Sequence, residues 1–154
     1  MRIISLPFIF FAVGILIVSC ESPKRGQEDQ KDLKELQGTW QLISGVVDGK
    51  ELPDEEVKNT QIIIKDNTFV LPNESGVGTS PKGTFIIYPN ADPKQVNSTT
   101  TDGPNIGKVS LGIYEVEGDN QKTCFGPPGG FRPTEFSSTP GSGKILQVWK
   151  RVNP

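Results

Sequence analysis

The sequence predicts an all-β domain: a small antiparallel up-and-down barrel of about eight strands, with one or two short helices. Three observations predict it. Short runs of β-branched and aromatic residues recur roughly every ten residues along the chain. Gly 17 and Pro 13 make up about a fifth of the 154 residues, against a usual ~12%, and such a density of turn formers suits many short strands. Helical signals appear only in two brief segments of the domain. Eight strands give an interior just wide enough to be filled by side chains or to hold one small ligand.

The elements follow in chain order. "DLKELQG", 32–38, sets Leu33 and Leu36 at helical spacing before Gly38, enough for one short turn of helix. From Gly38 the pattern becomes extended, with Trp40, Leu42 and Ser44 alternating against Gln41 and Ile43. Gly45 interrupts this strand and predicts a bulge there. Asp48-Gly49 is a turn signal. "ELPDEEVK", 51–58, reads as a short helix: Pro53 stands near its start, and Asp54, Glu55 and Glu56 face the positive end of its dipole. "TQIIIKDNTFVL" is a hairpin turning at Asp66-Asn67. "KGTFIIYP" (82–89), the threonine-rich "KQVNSTTT" (94–101) and "GKVSLGIYEVEGDN" (107–120) are the next strands. "QKTCF" folds back on the last of these, and "GKILQVWKR", 143–151, closes the count. Several strands are apolar on both faces, as in Ile62-Ile63-Ile64 and Phe85-Ile86-Ile87, so inside and outside stay unassigned.

The first twenty residues belong to a different physical class. Arg2 precedes an uncharged apolar run from Ile3 to Val18, which is short of the ~20 residues a membrane-spanning helix needs. A short apolar run behind a positive residue reads as an export signal, excluded from fold reasoning. Ile17-Val18-Ser19-Cys20 resembles the bacterial lipobox. That resemblance implies cleavage before Cys20, diacylglycerol on its sulfur and palmitate-type acyl chains, with stable anchoring once two or more chains insert. "ESPKRGQEDQK", 21–31, is polar, mixed in charge and free of aromatics, as a flexible tether would be. The expected organisation is therefore a signal peptide (1–19), a lipidated Cys20 with its tether (20–31), and the barrel domain (32–154). The expected location is a cell-envelope membrane, inner or outer.

Composition excludes several classes. A formal charge of −2 with no Lys/Arg stripe leaves no electrostatic footprint for nucleic acid. The absence of histidine removes the commonest general base and metal ligand. With only Cys20 and Cys124, a zinc site would have to rest largely on carboxylates, an unusual choice. After lipidation Cys124 stands alone, and without an activating base it reads as a small buried hydrophobe. Glu115 and Glu117 share one strand face, their side chains roughly 7 Å apart by the strand repeat. Two acids there are ordinary surface residues, so no catalytic residue, metal or cofactor is expected.

Gly38-Thr39-Trp40 after a short helical turn resembles the glycine-x-tryptophan motif that opens strand one of lipocalins. In that superfamily a basic residue near the last strand packs across the tryptophan and closes one barrel end. Arg151, or Lys150 beside it, occupies that place here. A closer resemblance spans Leu33 to Arg151. "LQGTWQL", "VDGKELP", "TDGP", "LGIYEVEGD", "PPGGFRPTEF" and "PGSGK" are similar to the uncharacterised lipocalin-like domain abundant in planctomycete proteins. It implies a small barrel and frequent export, with no activity. Departures from true lipocalins are a shorter chain, no disulfide, no helix after the last strand, and Thr101-Asp102 followed by Gly103-Pro104. They argue against a roomy calyx.

The segment from Phe125 to Gly143 supports two readings. It caps the barrel mouth, with Phe125, Phe131 and Phe136 as apolar plugs and Arg132 receiving an anionic ligand head, or it is a packed loop whose Arg132 satisfies backbone carbonyls. The expected function is a membrane-anchored lipoprotein whose barrel binds a small apolar or amphipathic molecule. Phe85, Tyr114, Phe131 and Arg132 are the candidate ligand residues; Trp40 and Arg151 are the barrel-closing pair. The alternative is a filled barrel serving as a structural or protein-interaction module of the envelope.

Overall fold

The computed structural model describes residues 25–72, 80–103 and 105–152. The expected signal peptide and the lipid-bearing Cys20 lie outside the described residues. The elements are α1 (Arg25–Leu36), β1 (Gly38–Val47), β2 (Lys50–Glu51), α2 (Asp54–Lys58), β3 (Gln61–Lys65), β4 (Thr68–Val70), β5 (Lys82–Tyr88), β6 (Gln95–Asp102), β7 (Val109–Glu117), β8 (Asn120–Phe125) and β9 (Ile145–Arg151).

From β3 to β9 each strand pairs antiparallel with the next, β1 pairs with β3, and β9 returns to β1 over Trp40 to Val47. The sheet is thus a closed, eight-stranded up-and-down barrel, with β2 as an extra short strand on β1. Closure leaves no free edge in the ring. No helix among the described residues is long and apolar enough to cross a membrane.

Register resolves the ambiguous apolar runs. Ile64 is buried and Ile62 packs on the core, while Ile63 is exposed. Phe85 and Ile87 face inward, and Ile86 faces solvent. The barrel core comprises Leu36, Trp40, Leu42, Ile64, Phe85, Val96, Tyr114 and Trp149.

Two local expectations are corrected. The bulge falls between Leu42 and Ser44 rather than at Gly45. Gly45 instead makes room for a neighbour: a Cβ there would lie 2.5 Å from Leu52 Cδ1. Helix α1 has 12 residues and begins at Arg25, inside the segment expected to be a tether. Its two leucines are too sparse a stripe to announce such a length. Tertiary packing supplies what propensity lacks: Leu36 is buried in the barrel core and Leu33 packs against it.

The connection 126–144 forms an outer layer. Ile113 and Cys124 are paired neighbours on β7 and β8. Both are fully buried although they lie outside the interior core. The connection lies over Cys124, whose Sγ–H donates to Ser137 O at 3.4 Å.

Candidate ligand cavity

One barrel end is closed by α1. The β3–β4 and β7–β8 turns, the β5–β6 connection and the chain's last strand meet it there, whereas the β4–β5, β6–β7 and β8–β9 connections leave from the opposite end. Trp40 is fully buried, and its Nε1–H donates to Leu36 O at 2.9 Å. The Arg151 guanidinium lies 4.2 Å from the Trp40 ring centroid, within cation–π range. Its Nη1 donates to Gln37 O at 2.5 Å and its Nη2 to Glu35 O at 2.6 Å and Gly118 O at 3.3 Å. Its Nε donates to Asp119 Oδ1 at 3.1 Å. Carbonyls at a helix C-terminus have no partner within the helix, and Arg151 supplies one while pinning β9 to α1.

A second clamp holds the same helix. The Asp32 carboxylate is 4% exposed and accepts from the Tyr114 hydroxyl at 2.7 Å and from Lys94 Nζ at 2.7 Å. Burial, reinforced by this carboxylate, pushes the Tyr114 phenol far above its usual range, so it stays protonated and donating.

Above this floor lies a cavity of about 150 Å³. Ile62, Ile64, Phe69, Phe85, Ile87 and Val96 give it apolar walls, and Leu36, Tyr114 and Trp149 also border it. Ser98, Gln121, Thr123 and Gln147 also line it. Thr123 and Gln147 are register partners on β8 and β9, and Thr123 Oγ1 donates to Gln147 Oε1 at 3.5 Å. Gln121 is 6% exposed, and its Oε1 is buried with no hydrogen-bond partner. Among the described residues no Asp, Glu, Lys or Arg side chain lines the space.

Of the candidate ligand residues, Phe85 and Tyr114 border this cavity, and Phe131 and Arg132 do not. Phe131 is 94% exposed. Arg132 lies against the outer wall, where Nη1 donates to Val96 O at 2.9 Å and to Gly112 O, and Nη2 to Asn97 Oδ1 at 2.5 Å. Its donors are engaged by the β6–β7 wall, so the mouth reading of the Phe125–Gly143 segment is corrected to that of a packed loop. Burial draws the Arg132 guanidinium below its usual range.

Glu115 and Glu117 are exposed, and Glu115 pairs with Lys122 at 3.3 Å. Among the described residues no group of three or more His, Cys, Asp or Glu could hold a metal ion.

Sequence reading missed Gln121, Thr123 and Gln147, because alternating polar residues on a strand ordinarily mean a solvated face. The signal that marks them is their register with Trp149, which shares their side of the β8–β9 pair. Asp32 was missed because its partners, Tyr114 and Lys94, stand far away in the chain.

The fold and site together define a closed eight-stranded β-barrel with a small cavity, lined by uncharged groups among the described residues and closed at one end by α1. Comparison of the chain with known protein families, curated proteins and solved structures finds no match.

Proposed function

We propose that this chain is a lipid-anchored, lipocalin-like binding protein of a bacterial cell envelope, which holds one small, largely apolar molecule inside its barrel. The observation that carries the reading is the cavity of about 150 Å³, walled by aliphatic and aromatic side chains and bordered by a few polar groups. Apolar walls with sparse polar groups are the usual composition of small-molecule sites. The anchor rests on the apolar run and on Ile17-Val18-Ser19-Cys20. No role in catalysis or in nucleic-acid binding is proposed.

A second reading has one observation in its favour. Ligand sites for drug-sized molecules commonly run from roughly 300 to 1,000 Å³, and this cavity is smaller. A barrel that carries nothing and meets another envelope protein through its outer face is consistent with that.

Native mass spectrometry of the full chain, compared with its denatured spectrum, separates the two readings. A mass lost on denaturation supports binding. Identical masses before and after exposure to single-ring aromatic compounds would sink it and leave the interaction module. For the anchor, membrane fractionation of the wild type and of Cys20→Ser is decisive. The wild type is expected in the membrane fraction with an acylated N-terminal peptide, and Cys20→Ser without acylation.

A further inference from the structure

We propose that the cavity selects a neutral, single-ring molecule carrying one hydroxyl or N–H donor, with the Gln121 carboxamide as its acceptor. This rests on the binding reading above and adds the chemistry of the ligand.

Size sets the first limit. Apolar cavities of roughly 150 Å³ accept benzene-sized molecules, and the volume here matches that scale. A long acyl chain does not fit inside it.

Charge sets the second limit. Every described residue lining the space is uncharged, so a carboxylate or ammonium entering it would lose water without gaining a counter-charge from them. Asp32 does not change this, because its carboxylate already accepts from Tyr114 and Lys94.

Hydrogen bonding sets the third. Buried polar groups in folded proteins almost always have a partner, and Gln121 Oε1 has none. Thr123 donates to Gln147 and the Tyr114 proton goes to Asp32, so neither hydroxyl donates to Gln121. The last torsion of glutamine is broad and roughly two-fold, and a turn about it is the motion that presents the oxygen to a guest. In the eight-strand ring β8 stands opposite β4. A ring held by Gln121 on β8 therefore has Phe69 on the facing strand, and Phe85 on the strand beside that.

The test compares phenol with toluene, which have nearly the same shape, on the purified full chain and on Gln121→Met. Titration calorimetry of both compounds gives the ratio of toluene Kd to phenol Kd. That ratio is expected to fall at least tenfold from wild type to Gln121→Met, while toluene binding is retained. Hexanoate is expected to bind at least tenfold more weakly than phenol. Should the variant fail to fold, the wild-type side-chain amide resonance of Gln121 provides the second readout: phenol is expected to shift it and toluene to leave it in place.

Toluene and phenol binding in an unchanged ratio, or an amide resonance that moves equally with both, would overturn the assignment to Gln121 while the binding reading stands. Binding of neither compound would overturn both. Retained toluene binding in the variant is what tells the two failures apart.

Discussion

A guanidinium presents five N–H donors in a rigid fork, and Arg151 directs its fork to the place where α1, β1 and β9 meet. It donates to Gln37 O, Glu35 O, Gly118 O and Asp119 Oδ1 and lies over Trp40. A lysine has a compact charge without the fork, so Arg151→Lys leaves the part-buried carbonyls of Glu35 and Gln37 short of donors. The expected loss is about 2–4 kcal/mol, from two or three lost hydrogen bonds and a weakened cation–π contact, read as a lower urea midpoint.

Two other buried residues set a pH dependence. Burial raises the Cys124 thiol above its usual value and, as the largest cause, raises Tyr114 as well. A raised folded-state pKa means that the folded chain holds the proton more tightly than the unfolded one. That stability is fully present below the unfolded pKa, about 8.5 for Cys and about 10 for Tyr, and is lost as pH rises above it. The urea midpoint is therefore expected to fall between pH 8 and 10.5, at up to about 1.4 kcal/mol per pH unit for each group. Cys124→Ala is expected to flatten the lower part of that fall.

At the scale of elements, the barrel strands were legible and their coverings were not. Each strand of the ring carries β-branched or aromatic residues between turn formers, which is a local signal. Helix α1 and the connection 126–144 depend on what they touch. The connection is held by Arg132 on the β6–β7 wall, by Ser137 over Cys124, and by Asp48, whose Oδ1 accepts from Gly143 N at 2.8 Å. It also needs a glycine at 126, where a Cβ would lie 2.1 Å from Phe131 O. Arg132→Ala is expected to cost about 1–3 kcal/mol through the donors it removes. It is also expected to speed proteolytic cleavage within 126–144 and to leave phenol affinity within about twofold. A tenfold loss of phenol affinity would restore Arg132 to the ligand site.

At the scale of the molecule, closure joins the start of the domain to its end, through the pairing of Trp40 with Arg151 and of Val47 with Ile145. Such distant pairing is expected to make folding slow, in the millisecond-to-second range of small β domains. Trp40 and Trp149 share one core, along with the strands that carry them. Their fluorescence and the far-UV circular dichroism are therefore expected to unfold at one midpoint. Separate midpoints would mean that α1 or the outer layer melts apart from the barrel.

Eight ring strands and the places of two helical segments are legible in local residue pattern, and the resemblance to the lipocalin motif implied the meeting of Trp40 with a basic residue of the last strand. Each of these is written in neighbouring residues or in a motif. Which face of each strand lies inside, how far α1 extends, and where the cavity and its unpartnered Gln121 sit depend on long-range packing. Strand periodicity tells which side chains share a face, never which face the ring encloses. That choice is made by packing and closure between residues far apart in the chain.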